Sequence, residues 1–188
     1  MILFLGVIAG VIAGLVAGGR LDRIADLELR GAGLFIAALA LQVVAFPSGY
    51  LPFQISDGAA TALWLCSYAL LVALALLNRA VRGFPLATAG MLSNLAAVLA
   101  NHGHMPALES ALAAAGTPIE HVHNNSVVAN HPHLSWLIDR WGAPDWVPLA
   151  NVYSVGDVLL AVGTVVIVSA AMGAGLRRPH LARAEQQG

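Results

Sequence analysis

The chain has 188 residues, of which 59% are hydrophobic and only 10% are charged, and its formal net charge at pH 7 is −1. Soluble domains usually carry about 25% charged residues, so this composition places the chain among integral membrane proteins. A net charge this close to zero argues against a nucleic-acid-binding surface. Lysine is absent and Cys66 is the single cysteine, which excludes Schiff-base chemistry and a disulfide framework.

Five apolar segments approach the length of about 20 residues that a helix needs to cross a bilayer. No basic residue precedes the first segment, so we expect a retained helix rather than a cleaved signal peptide. The predicted fold is an all-α, polytopic membrane bundle that forms one domain over residues 1–188. The five predicted transmembrane helices lie at residues 2–18, 31–46, 58–77, 84–100 and 152–176.

The arginines predict the orientation of this bundle. Apart from Arg140, all of them lie between the first and second helices, between the third and fourth, or in the tail at residues 177–188. With five spans these regions share one side of the membrane. The positive-inside rule then places the N-terminus outside and the C-terminus in the cytoplasm. Rich use of alanine, glycine and arginine is typical of GC-rich bacterial genomes, so we expect a multi-pass protein of the bacterial inner (cytoplasmic) membrane.

The first helix carries a glycine zipper. Its glycines are spaced by four residues, which places them on one stripe of the helix where a second helix can approach closely. The stripe either packs against another helix of the same chain or joins the chain to a homo-oligomer or a partner membrane subunit. Its members are Gly6, Gly10, Gly14 and Gly18.

Residues 101–151 are predicted to form a long external segment that is rich in histidine and carries short helices, the first of them beginning at Pro106. Imidazole binds zinc, copper and haem iron, so these histidines are candidate metal or haem ligands. The two rings of a His-x-His pair in extended chain point to opposite sides, so one pair alone is a poor chelate. Alternatively, the histidines are loop residues without a ligand. The candidates are His102, His104, His121, His123, His131, His133 and Glu120.

Polar residues within the predicted spans gather toward the outer ends of the helices. An ionisable residue such as Asp157 inside a span is costly and usually faces a cavity or a partner. We therefore predict a polar pocket that opens to the outside, with the histidine-rich segment as its lid. Alternatively, these side chains only join helices through hydrogen bonds. The candidate pocket residues are Gln42, Tyr68, Asn94, Asn101, Met105, Ser154 and Asp157.

Two motifs stand out, NHGHMP at residues 101–106 and NVYSVGD at residues 151–157. With them the chain resembles, over nearly its whole length, a family of small actinobacterial and firmicute membrane proteins known as a domain of unknown function. The first motif of that family reads NGGxMP, so this chain departs from it at His102. The resemblance implies no reaction. It implies a shared polar core of Asn101, Met105, Pro106, Ser154 and Asp157.

No nucleophile elbow and no HExxH motif is present, so a binding role is favoured over an enzymatic one. The leading hypothesis is a membrane binding protein or accessory subunit, surrounded by the lipid bilayer, that takes up a small ligand or a metal ion from the outer side. Zinc and copper are the metals considered. The second hypothesis is a membrane subunit of a redox system that binds haem or quinone near the outer surface. The third is a structural partner subunit without a ligand of its own.

Overall fold

The computed structural model describes residues 2–45, 55–116, 126–128, 131–144, 146 and 151–173, and this part of the chain is mostly helical. Its helices are α1 (Ile2–Val16), a 3-10 helix (Leu21–Asp26), α2 (Ala32–Ala45), α3 (Asp57–Leu77), α4 (Phe84–Ala100), α5 (Glu109–Ala114) and α6 (Val155–Ala171). Strands β1 (Met105–Ala107) and β2 (Ser126–Val128) pair in parallel, and β3 (Trp141–Gly142) and β4 (Val152–Tyr153) pair antiparallel.

Each of the five predicted apolar segments contains one long helix. Helix α3 is long and apolar enough to cross a membrane, whereas α1, α2, α4 and α6 are apolar but shorter. The predicted start of the last helix is wrong, because Val152 belongs to β4 and Ser154 is the N-cap of α6. The short helix expected from Pro106 begins at Glu109 instead, because Pro106 lies in β1.

The long helices pack in an order that differs from their order in the chain. Helix α1 packs on α6, α6 on α4, α4 on α3, and α3 on α2. Helix α6 therefore lies between α1 and α4, and its glycines allow a close approach. A Cβ on Gly163 would lie 2.7 Å from the backbone nitrogen of Ala87 in α4. Contacts this short require glycine, so the backbones of α4 and α6 are in direct contact at this position.

Helix α1 turns its glycines inward and its large apolar side chains outward. Gly6, Gly10 and Gly14 are buried against α6, where added Cβ atoms would meet its backbone or side chains. By contrast, Phe4 is 64% exposed on the outer surface of the helix. Three of the four glycines of the stripe therefore pack against α6 of the same chain. The fourth, Gly18, follows α1 and has a φ of +79°.

Two asparagines at helix ends hold distant backbone in place. Asn78, which is 3% exposed, accepts a hydrogen bond from the Arg30 N–H and donates one to the Arg30 carbonyl, both at 2.9 Å. Asn101 makes the same pair of bonds to His133, at 2.8 and 2.9 Å. Each amide also donates to its own helix, Asn78 to Leu74 and Asn101 to Ala97. These bonds fix the loop before α2 and the segment after α4.

Replacing Asn78 with leucine should lower the free energy of unfolding by about 2 kcal/mol, because the Arg30 N–H and carbonyl lose their partner in a partly buried site. Thermal unfolding in a mild non-ionic detergent measures the change. Ala80→Leu, at a neighbouring exposed position, is the matched control and should leave the melting temperature nearly unchanged. Equal melting temperatures for the two variants would show that the Asn78 bonds contribute nothing to stability.

Candidate functional site

A cavity of about 680 Å³ lies among the five long helices. This volume is within the range of about 300–1,000 Å³ that is typical of small-molecule sites. We call the end of the bundle where α4 ends and α6 begins the cap end. The cap segment consists of the described residues among 101–144 and 151–153, which cover this end. From the cap end, α4 lines the cavity with Val98, Asn94, Met91, Ala87 and Phe84, which follow one face of the helix.

The cavity is polar at the cap end and mostly apolar over the rest of its depth, where the hydroxyl of Thr164 donates to the Leu160 carbonyl of its own helix at 2.8 Å. From Asn94 to Phe84 the wall of α4 runs about 15 Å, at 1.5 Å per helical residue. The apolar part is lined from α3, α4 and α6 by Leu71, Leu74, Phe84, Ala87 and Leu160. The polar part is lined by Gln42, Tyr68, Asn94, Asp139, Asn151 and Asp157.

The polar end is built around the N-terminus of α6. Ser154 and Asp157 form a capping box, in which the Asp157 N–H donates to Ser154 Oγ at 3.1 Å and the Ser154 N–H donates to Asp157 Oδ2 at 2.9 Å. From α4, Asn94 Nδ2 donates to Asp157 Oδ1 at 2.8 Å. The Ser154 hydroxyl lies 2.8 Å from Asn94 Oδ1 and 3.0 Å from Asp157 Oδ2, so its single proton can serve either acceptor. Helix α4 is thereby joined to the helix cap of α6.

Gly156 brings these two helices close enough for that network. A Cβ at this position would collide with the side chain of Asn94 and lie 2.7 Å from the carbonyl oxygen of Gly90. A Cβ on Gly90 would in turn lie 2.5 Å from the carbonyl oxygen of Gly156. The glycine of the NVYSVGD motif is therefore needed for packing, and its neighbours in the motif supply the polar network.

Helices α2 and α3 continue the polar end on the other side of the cavity. Gln42 Nε2 donates to Ser67 Oγ at 3.2 Å, and Ser67 Oγ donates to the Trp64 carbonyl at 2.7 Å. The rings of Trp64 and Tyr68 lie with their centroids 4.7 Å apart. Tyr68 and Asn94 both line the cavity, from α3 and α4. The wall of the cavity therefore carries an aromatic pair as well as the carboxylate of Asp157.

Asp139 reaches the cavity from the cap segment. Its N–H donates to the Pro106 carbonyl and its carbonyl accepts from the Leu108 N–H, both at 2.9 Å. Its side chain is 6% exposed and lines the cavity, and it has no hydrogen bond or ion pair with any residue that the structure describes. Burial, and to a smaller extent the charge of Asp157, raise the pKa of Asp139 from 3.8 to about 7.

The predicted metal or haem ligands are not brought together in the described part of the chain. His102, His131 and His133 are exposed and His104 is half-buried, and none of these four lines the cavity. The described residues contain no group of three or more His, Cys, Asp or Glu side chains that could hold a metal ion. The remaining candidates, His121, His123 and Glu120, lie outside the described residues.

Most of the predicted pocket residues line one cavity. Asn101 and Ser154 do not, because Asn101 holds the backbone of His133 and Ser154 caps α6. The sequence prediction missed Trp64 and Asp139. Trp64 lies one helical turn before Tyr68, a spacing that predicts a shared face, whereas nothing in the local sequence connects Asp139 to the spans. The predicted residues on the cavity wall are Gln42, Tyr68, Asn94, Met105 and Asp157.

A family model described as a family of unknown function, DUF5317, matches residues 26–169. The chain belongs to this family. The resemblance to an uncharacterised family is therefore confirmed. The DUF5317 match includes α2, α3 and α4 and begins after α1. No curated protein and no solved structure matches the chain. Membership of DUF5317 brings no activity with it, so the function has to be argued from the cavity.

The motif position at which this chain departs from NGGxMP has a left-handed backbone. His102 has a φ of +57° and Gly103 a φ of +89°. Because this region costs a residue with a Cβ about 1 kcal/mol, we expect His102→Gly to raise the free energy of unfolding by about 0.5–1 kcal/mol. Gly103→Ala should lower it. Thermal unfolding of both variants tests the sign, and destabilisation by His102→Gly would contradict the strain argument.

Proposed function

We propose that this DUF5317 member is a multi-pass membrane protein that binds a small amphiphilic ligand in the cavity. The observation that carries the proposal is the division of one continuous cavity into a polar cap end and a long apolar remainder. Such a cavity suits a molecule with one polar group and an apolar body.

The surface of the bundle supports insertion of all five long helices in the membrane. Helix α1 buries glycine and exposes large apolar side chains, the arrangement expected where lipid rather than water surrounds a helix. Trp136, Trp141 and Trp146 are exposed near the cap end, as interfacial anchors would be. Helices shorter than the bilayer core are accommodated by local thinning. By the arginine distribution, the cap end faces outward from the inner membrane.

The proposed route of the ligand runs between α1 and α2. These two helices make at most slight contact with each other, because α1 packs on α6 and α2 packs on α3. Leu3 of α1 and Phe35 and Leu39 of α2 line the cavity and are about half exposed. A molecule dissolved in the bilayer would therefore meet the cavity from the side.

A quinone-binding subunit of a redox system is the second candidate. The aromatic pair of Trp64 and Tyr68 lines the same cavity as the amide of Asn94, which favours a flat ring with polar edges. Haem is not favoured, since none of the described histidines lines the cavity. Quinone binding predicts a co-purifying compound whose ultraviolet spectrum changes on reduction with borohydride. A purified sample without that change would remove this candidate.

Filling the cavity tests the proposed function. Leu71→Trp places a large ring in the apolar part, whereas Leu76→Trp places the same ring on an exposed surface of the same helix. Three amphiphiles with the same dodecyl tail serve as probes below their micelle-forming concentrations: cationic dodecyltrimethylammonium, neutral dodecyldimethylphosphine oxide and anionic dodecyl sulfate. Calorimetric titration in lipid nanodiscs, corrected with empty nanodiscs, should show one site for at least one probe. Leu71→Trp should abolish that site and Leu76→Trp should retain it.

A further inference from the structure

We propose that the cavity selects lipophilic cations, such as amphiphilic amines and quaternary onium ions, over neutral and anionic amphiphiles of the same size. This inference rests on the proposed function and names the class of its ligand. It is carried by the charge balance of the cavity wall, by an unpaired buried carboxylate and by an aromatic pair on the wall of the same cavity.

The charged groups on the cavity wall are acidic. Asp139 and Asp157 both line the cavity, and no arginine or histidine does so among the described residues. Arg140, which follows Asp139 in the chain, lies over the ring of Trp141 at 5.6 Å instead of lining the cavity. An anionic headgroup would therefore meet two carboxyl groups with no counter-charge, and desolvated like charges repel strongly. A cationic headgroup would instead be attracted to both carboxyl groups.

The two carboxyl groups differ in what they already bind. Asp157 accepts hydrogen bonds from Asn94 and Ser154, so its oxygens have partners without a ligand. The side chain of Asp139 is more than nine-tenths buried, faces the cavity and has no partner within the described chain. A buried carboxylate without a partner is costly. A bound cation would remove that cost, so Asp139 is the group that a ligand completes.

Two polar side chains of the cavity wall are already engaged with other side chains of the protein. The amide nitrogen of Gln42 already donates to Ser67, and both ends of the Asn94 amide are engaged by Asp157 and Ser154. A sugar-like headgroup needs many free partners, whereas an onium ion needs negative charge and aromatic faces. Trp64 and Tyr68 supply those faces on the wall of the cavity.

The experiment compares the three probes at pH 8 in nanodiscs. Dodecyltrimethylammonium and dodecyl sulfate have the same apolar tail and headgroups of opposite charge. We expect the cation to bind at one site at least about tenfold more tightly than either other probe. Asp139→Asn keeps the shape of the side chain and should weaken cation binding by about tenfold. Glu109→Gln removes a charge from an exposed position outside the cavity and should change nothing.

A second arm lowers the pH to 5.5. Among the described residues, the titratable groups on the cavity wall are Asp139, Asp157 and Tyr68. Because the pKa of Asp139 lies near 7, its protonation should reduce the cation affinity of the wild type toward that of Asp139→Asn, while the variant changes much less between the two pH values.

The outcomes separate the inference from the function on which it rests. Equal binding of the cation and the anion, or an Asp139→Asn variant that binds the cation as tightly as the wild type, would overturn cation selection and leave amphiphile binding standing. If no probe binds to the wild type, or Leu71→Trp binds as the wild type does, the proposed function itself fails. A tight cation site that is weakened in Asp139→Asn and unchanged in Glu109→Gln supports both.

Discussion

Replacing Asp139 with asparagine should raise the free energy of unfolding at pH 8 by about 4 kcal/mol, on the order of 1.4 kcal/mol for each pH unit of the shift in its pKa. Burial raises that pKa from 3.8 to about 7 in the folded protein. Between these two values the folded state holds a proton that the unfolded state has released. The stability of the wild type therefore falls as the pH rises through this window, and the loss is complete above pH 7.

Thermal or denaturant unfolding at pH 4.5, 6, 7 and 8, without any amphiphilic cation, measures this effect. The difference between Asp139→Asn and the wild type should be small at the lowest pH and should grow to its full size at pH 8. Glu109→Gln, at an exposed position of the same segment, controls for the loss of one acidic group. Parallel stability curves for the wild type and Asp139→Asn would show that Asp139 titrates normally and is not desolvated.

The free-energy cost of burying the unpaired carboxylate of Asp139 suggests a functional role for this residue. A buried carboxyl group with no partner destabilises the fold, and asparagine would remove the charge at little change in volume. Proteins commonly accept such costs at sites where activity needs a strained or destabilised group. The buried position of Asp139 at the polar end of a cavity fits that pattern, whereas Asp157, beside it, is fully used in a capping box.

Much of the bundle could be predicted from the sequence because apolar runs are bounded by clear breaks. Helix α4 begins after Gly83, which has a φ of +93°, and ends at Asn101, which accounts for its prediction at residues 84–100. The polar residues of the helices were also accessible, because helical periodicity and the density of apolar neighbours single them out. Tyr68, Asn94 and Asp157 are examples on three different helices that line one cavity.

The features that could not be predicted from the sequence depend on contacts between distant segments. Asp139 reaches the cavity because its backbone bonds to Pro106 and Leu108, some thirty residues earlier in the chain. Asn101 carries the same kind of signal as Asn94, yet its amide is used by the backbone of His133. The histidines were predicted to be metal or haem ligands from composition alone. Composition does not determine whether side chains converge, and those that the structure describes belong to no group of three or more potential metal ligands.

Replacing Gly156 with alanine should lower the free energy of unfolding by about 2–3 kcal/mol, although alanine favours helices over glycine. The added methyl group would collide with Asn94 and press on the carbonyl of Gly90. Helices α4 and α6 must then separate or Asn94 must leave the cap of α6. Thermal unfolding in detergent measures the loss, and cation titration should show weaker binding because the polar end of the cavity is displaced.

The matched controls are Gly33→Ala and Gly58→Ala, in α2 and in the first turn of α3, where an added Cβ would meet nothing within 4 Å. Helix propensity alone should raise the free energy of unfolding of each control by up to about 1 kcal/mol. The same substitution thus has opposite expected signs at positions that differ only in packing. If Gly156→Ala were as stable as the controls, α4 and α6 would not be in close contact, and the Asn94 network that joins them would need another explanation.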